Sequence, residues 1–472
     1  RRLYISSGTD AMILPLFEYL AHYEYPCTEQ LVSRAMPYAI MPSSQILGTT
    51  FQDSEKHILE TINTLKNRQN NDGSFALWAG DANNGETQYS PDTANLTAYV
   101  TEFLTIARDA GFDIPHEMLS RAVDYLRTFA GGTITDPSYA RAAARAIYVI
   151  SENDYVTTSY IDSFTQYANE SMKDWESDVT GAYIAAAYKI MKQDDQARDL
   201  IAKYKLSSNP DFEYRGLFDN NVANDAMYYY ITRKYFTPQN PMESNTLRTY
   251  IATGDYSAYT SATTIMAMAG TINNAKMPSI TVTTNAPTAP IVKAQSTTTT
   301  VEIPTDATEI EINCPDCSQD VPLFFTLLQS GYPTESHPET HGIDITREYF
   351  DMDGNRINSA NIGDTVTVKI SARTRGDVNN ADNVVITDLL PGGFIANPDS
   401  ISGDMEYAQF REDRVLIFTD LNRDTLNFTY TAQIGAAGKF TVPPIAAQAM
   451  YNPAINARGD IATFTVINES VQ

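Results

Sequence analysis

A cysteine and a glutamine three residues apart, in Cys27-Thr28-Glu29-Gln30, are the pair in this 472-residue chain with the most chemistry to offer. On one turn of helix, that spacing puts the thiol and the carboxamide within reach of each other. A thiolate is the best side-chain nucleophile near neutral pH. Attack on the Gln30 amide carbon with loss of ammonia would close an internal thioester, an acyl donor held ready for one transfer. Taken alone, the four residues also fit a plainer reading, because an inert cysteine is one of the most buried residue types.

The surrounding segments bear on that choice. Tyr23-Glu24-Tyr25-Pro26 precedes the pair, and Asn71-Asp72-Gly73-Ser74-Phe75-Ala76-Leu77-Trp78, Asn95-Leu96-Thr97-Ala98-Tyr99-Val100 and Gly111-Phe112-Asp113-Ile114-Pro115 follow it in order. Together they resemble the thioester region of the alpha-2-macroglobulin and complement family. The bacterial branch of that family reads Tyr-Pro-Tyr-Gly-Cys-Leu-Glu-Gln at the bond and Trp-Leu-Thr-Ala-Tyr-Val downstream. The resemblance implies a Cys27–Gln30 thioester with Tyr23 packed over it. The chain departs from the pattern at three positions: Pro26 stands for Gly, Thr28 for Leu and Asn95 for Trp. Pro26 removes a backbone N–H and stiffens the approach to Cys27. A member with an unreacted pair, acting as a structural or binding module, therefore stays open as an alternative.

Helices must carry this pair. Leu96, Tyr99, Val100, Phe103 and Leu104 form an apolar stripe at helical spacing, as do Met118, Leu119, Ala122, Val123 and Leu126. Asp92, Asp136, Asp178 and Asp225 recur as helix-opening residues, which suits a helix-turn-helix repeat. The repeat alone allows an open solenoid; the resemblance implies a closed α/α toroid over residues 1–276. Residues 277–338 alternate like strands and are expected to be a small β segment, the second half of a CUB-like module. Residues 339–472 alternate more cleanly, as in Thr365 to Ala372 and Leu426 to Thr431, and read as a C-terminal β-sandwich. That sandwich resembles the family's macroglobulin-like domain. The fold class expected is thus multidomain α plus β. Asp351-Met352-Asp353-Gly354-Asn355 hints at a calcium loop, yet its glycine stands too early and no Glu closes it, so a hairpin turn is the expectation.

Composition narrows the partners. With 58 acidic against 33 basic residues the formal net charge is −25, which repels nucleic acid and anionic membrane surfaces alike. No stretch of 18 apolar residues is present, and the chain opens on Arg1-Arg2, so a processed piece with any signal or membrane anchor outside it is expected. Three cysteines leave one over in any disulfide scheme. With Cys27 committed to Gln30, Cys314 and Cys317 remain as a candidate disulfide in a periplasmic or extracellular setting, with two thiols as the other reading. No metal or cofactor is expected.

A thioester needs protection from water and an attacking group. Met450-Tyr451, in Gln448-Ala449-Met450-Tyr451-Asn452-Pro453, resembles the bacterial family's loop that covers the bond from the last domain. No histidine occurs between His116 and His337, so acyl transfer through a histidine has no candidate there and direct attack by lysine amines is expected. The resemblance implies a broad-spectrum endopeptidase inhibitor that couples covalently to target proteases after bait cleavage in upstream macroglobulin-like domains. It would act once without turnover, and so not as an enzyme. An α/α-toroid enzyme is the contrasting reading; Asp194-Asp195 lies in a charged turn and lacks the context of paired catalytic carboxylates.

Overall fold

The computed structural model describes residues 1–44, 47–79, 89–269, 277–294, 298–317, 323–331 and 337–468. Contacts divide the chain into two compact units, Arg1–Ser330 and Gly331–Gln472.

The first unit holds twelve α-helices among its described residues. They are α1 (Asp10–Ala21), α2 (Thr28–Ile40), α3 (Phe51–Lys66), α4 (Pro91–Asp109), α5 (His116–Ala130) and α6 (Pro137–Glu152), then α7 (Thr158–Ser171), α8 (Val179–Ile190), α9 (Asp194–Ile201), α10 (Asn221–Tyr235), α11 (Asn245–Thr253) and α12 (Ala258–Met268). The even-numbered helices touch in succession and α12 returns to α2, so they close a ring; each odd-numbered helix packs outside it. Side-chain size explains the sorting. The ring helices α6, α8 and α12 are rich in alanine and buried almost throughout, because small side chains let six backbones approach one axis. An outer helix such as α7 buries one narrow stripe, Ile161, Phe164 and Ala168.

The ring helices begin on caps. Cys27, Ser90, Asp136, Asp178 and Asn220 each accept a backbone N–H from the first turn of α2, α4, α6, α8 and α10. Such a cap typically contributes about 1 kcal/mol. Two of the four expected openers are therefore corrected. Asp92 lies one residue inside the first turn, after the true cap Ser90 and Pro91. Asp225 is buried within α10, where its carboxylate accepts from Tyr204 Oη at 2.9 Å and Ser207 N at 3.2 Å.

A second correction concerns the start of the chain. Arg2–Ser6, read as part of the helical region, is a strand, β1. The ring inserts a short hairpin of β2 (Tyr214–Gly216) and β3 (Asp219–Asn220), and is followed by β4 (Thr281–Thr284), β5 (Ile291–Ala294), β6 (Thr298–Glu302), β7 (Ile310–Asn313) and β8 (Phe324–Leu328). β1 lies between β6 and β8, antiparallel to both, in the order β5-β6-β1-β8. Its alternation decides this: Leu3 and Ile5 enter a core with Val282 and Val301, while Tyr4 faces Ala11 and Leu14 of α1. A disulfide joins Cys314 to Cys317 just after β7, with 5.4 Å between their Cα atoms.

The second unit is built on two facing sheets. One runs Ile343–Phe350, Thr365–Thr374, Leu426–Ile434, Phe394–Ala396; the other runs Tyr407–Phe410, Arg414–Leu421, Ala381–Leu389, Ala446–Ala449, Asn456–Arg458, Glu339–His341. Val366, Val368, Ile370 and Phe428 meet Val384, Ile386, Val415 and Ile417 in its core. Asp388 is buried there, paired with Arg347 and accepting from Tyr430 Oη at 2.7 Å. At the edge, Asp351 Oδ1 accepts from the backbone N–H of Asp353 at 3.0 Å and of Asn355 at 2.8 Å, which makes this segment the expected hairpin turn.

Candidate functional site

Cys27 is the N-cap of α2 and Gln30 is its third residue, and the two close a capping box. The Gln30 N–H donates to Cys27 Sγ at 3.5 Å, while Gln30 Oε1 folds back to accept from the Cys27 N–H at 3.2 Å. Both residues are fully buried. A thiol in this position meets the positive end of the helix and its unsatisfied N–H groups. The carboxamide that it would attack is turned toward the same cap. Pro26 does not interfere with the box, because both N–H groups that build it belong to Cys27 and Gln30.

Tyr23 lies beside Gln30. Its hydroxyl accepts from Gln30 Nε2 at 3.3 Å. Behind it the rings form a continuous wall: Tyr23 lies 5.3 Å from Tyr19 and 5.3 Å from Tyr25, and Tyr19 lies 5.6 Å from Tyr256. Burial pushes the Tyr23 and Tyr19 hydroxyls well above their ordinary range, so both stay protonated.

The segments read together in the sequence meet around this helix start. Thr28 donates its backbone N–H to Leu77 O at 2.9 Å and its hydroxyl to Ala76 O at 2.5 Å. Phe75 N–H donates to Thr97 Oγ1 at 3.1 Å, which ties the turn before Trp78 to α4. Gly73 makes that turn possible: its φ is +96°, and a Cβ there would lie 2.1 Å from Arg121 O.

Sequence reasoning missed three supports. Arg68, buried, donates to Thr28 Oγ1 at 3.1 Å and Leu77 O at 3.3 Å, clamping the turn to the start of α2. Glu29, between Cys27 and Gln30, accepts from Ser33 Oγ at 2.5 Å, and Ser33 Oγ meets Tyr99 Oη at 2.8 Å. The i, i+4 spacing of Glu29 and Ser33 was the available signal. Arg145 and Glu102 form a buried ion pair at 3.4 Å inside the ring.

Burial outweighs the attraction of Arg145 and pushes the Glu102 carboxyl up to about 7, with the nearby Glu152 adding to the rise. The folded chain therefore holds this proton more tightly than the unfolded chain. Stability from this group is fully present below the unfolded value near 4.5 and is lost as pH rises toward 7. Glu102→Gln keeps an acceptor for Arg145 and should flatten that part of the stability–pH curve. The expected difference, accumulated between pH 5 and 8 and read by urea unfolding, amounts to about 2–3 kcal/mol at most.

The remaining expected residues lie elsewhere. Met450 and Tyr451 occupy the turn after strand Ala446–Ala449, where Met450 N–H donates to Asn383 O at 3.0 Å. Both are about 3% exposed, yet neither belongs to the apolar core cluster of the sandwich. Asp194 and Asp195 sit at the start of the outer helix α9, paired with Lys189 and Arg198 on the surface.

Comparison with known proteins places these features. The family model described as the Bacterial Alpha-2-macroglobulin MG10 domain matches residues 342–454. An alpha-2-macroglobulin of Rickettsia conorii is 28% identical over 97% of this chain and 25% of its own length. An alpha-2-macroglobulin homolog of Yersinia pestis is 25% identical over 94% of this chain and 24% of its own length. The chain thus spans about a quarter of these relatives. The fold matches native Escherichia coli alpha-2-macroglobulin, solved from domain MG7 to the C-terminus, with a TM-score of 0.79 at 18% identity, over 98% of this chain and 77% of that one. Salmonella alpha-2-macroglobulin reacted with methylamine matches at a TM-score of 0.79 and 19% identity, over 98% of this chain and 31% of that one. Likeness of sequence through both units, and of fold over nearly the whole chain, leads to one assignment: the chain belongs to the bacterial alpha-2-macroglobulin family.

Proposed function

We propose that this chain is the C-terminal part of a broad-spectrum endopeptidase inhibitor that captures proteases through a Cys27–Gln30 thioester. In this reading, the helix ring forms an α/α-toroid thioester domain, β1 with residues 277–338 part of a CUB-like module and residues 339–472 a macroglobulin-like sandwich. The observation that carries the proposal is the capping box, in which a buried thiol and a buried carboxamide share one helix start. Cys27 Sγ loses its proton and attacks Gln30 Cδ; the C–N bond breaks and the amide nitrogen leaves as ammonia. Later an amine attacks the same carbon, an amide forms, and Cys27 returns to a thiol. One acyl group is used once, so the protein inhibits and does not turn over.

A lysine amine is mostly protonated at neutral pH, so capture depends on a high local concentration when the bond is uncovered. Bait cleavage in upstream domains supplies that moment, with the attacking protease already bound. Met450 and Tyr451, in the segment that resembles the bacterial family's covering loop, are the proposed cover. The disulfide between Cys314 and Cys317 supports a periplasmic or extracellular location. The test is trypsin added to the full-length protein, followed by reduction and denaturation. An adduct that survives both, and that yields a peptide linking Gln30 to a trypsin lysine, is expected; complete separation of the two proteins would contradict the proposal.

A further inference from the structure

The axis of the helix ring is not filled by hydrocarbon. Arg145 on α6 is 2% exposed, and its Nη2 donates to Glu102 Oε2 at 3.4 Å. The rings of Phe218, Tyr99 and Tyr259 stand 5.2, 5.4 and 5.5 Å from its Cζ. Its Nε and Nη1 have no hydrogen-bond partner among the described residues. Rings on the flanks attract a guanidinium but do not replace acceptors in its plane. A buried donor left unpaired costs about 1–3 kcal/mol, and folded proteins rarely keep one without a reason.

Arg145 also lines a cavity of about 150 Å³ at the end of the ring where α4, α6 and α8 begin. Three helix starts give that end a positive potential. The other arginines on its wall are already engaged, Arg141 with Asp178 at 2.6 Å and Arg215 with Asp219 at 3.1 Å. The unmet demand for acceptors is therefore that of Arg145. Asp92 on the same wall disfavours a dianion by repulsion, and Val179 and Leu217 offer apolar surface that an inorganic oxyanion cannot use. We propose that this cavity binds a small monocarboxylate, whose oxygens supply the acceptors that Arg145 lacks and whose polar substituents meet Asn95 and Thr180. Both orphan nitrogens are closed to solvent in the unliganded chain. Phe218, carried on the short β2–β3 hairpin and the nearest ring to the guanidinium, must yield for the carboxylate to reach them.

Isothermal titration of the 472-residue chain with sodium lactate and with L-serine tests the proposal. Saturable binding of at least one probe is expected, with Kd of about 1 mM or tighter. Asn95→Trp fills the cavity without touching the buried ion pair, and Arg145→Lys keeps the charge but removes the planar fork. Each should weaken binding by about tenfold or more, and Asn95→Trp should leave the thermal transition in place. Absence of saturation by either probe would overturn the site. So would binding that both variants leave intact, and phosphate binding as tightly as the carboxylates would overturn the assigned chemistry.

Discussion

Methylamine added to the native chain is expected to release one thiol, at Cys27, and to leave Gln30 as its N-methyl amide. Before the amine is added, a thiol reagent should find nothing at Cys27, because the proposed acyl bond would engage the sulfur. Cys314 and Cys317 contribute no signal either way, being joined to each other. Methylamine is small enough to enter a covered site and has the nucleophilic group of a lysine side chain. Cys27→Ala should abolish the reaction outright, since no acyl bond forms without the thiolate. Gln30→Glu should do nearly the same, because a carboxylate lacks ammonia as a leaving group. Cys27→Ala loses the side-chain cap at a cost of about 1 kcal/mol, while Gln30→Glu keeps an acceptor for the Cys27 N–H, so both should stay folded. Alkylation of Cys27 in native protein before any amine treatment would count against the bond.

Met450→Ala with Tyr451→Ala is expected to shorten the lifetime of that bond without affecting its formation. Two large side chains exclude water by coverage, and alanine removes most of that area. Methylamine reaction and spontaneous hydrolysis should both accelerate, by about fivefold or more if the two side chains form the principal barrier to water. Both side chains are about 3% exposed, so the lifetime is compared at a temperature where the variant's thermal transition shows it fully folded. Tyr23→Phe separates two roles of the nearer shield. Its hydroxyl accepts from Gln30 Nε2 at 3.3 Å, and its ring belongs to the Tyr19–Tyr23–Tyr25 wall. A Phe that preserves the lifetime assigns the protection to the ring; one that shortens it assigns a share to the hydrogen bond. A double alanine variant with the wild-type lifetime in the full chain would return Met450 and Tyr451 to ordinary packing.

The parts of this site that are local in the chain were legible from its sequence. Cys27 and Gln30 are three residues apart, and a capping box is a relation between neighbours, so spacing alone brings them together. Strand alternation in the second unit was equally plain: Thr365–Thr374 and Leu426–Ile434 fall where the pattern puts them, because one face of each is buried. Long-range determinants were not legible. Arg2–Ser6 forms a strand only because β6 and β8, some three hundred residues later, offer it two partners. Asp225 looked like a helix opener by type and interval, but Tyr204 and Ser207 use its carboxylate and Asn220 caps the helix. Asp92 had a better competitor two residues earlier, since Ser90 followed by Pro91 is the stronger start signal. Arg145 and Glu102 read as ordinary helix charges, and closure of the ring around them is what makes them buried ions.

The intact mass of the native chain, measured under conditions that preserve thioesters and with the Cys314–Cys317 disulfide retained, decides whether Cys27 and Gln30 have reacted. Closing the bond expels one ammonia, so the chain should weigh about 17 Da less than its sequence with that disulfide, and methylamine should then add about 31 Da. A native mass equal to that of the unreacted sequence, unchanged by methylamine, would show that the two side chains meet in a capping box and nothing more.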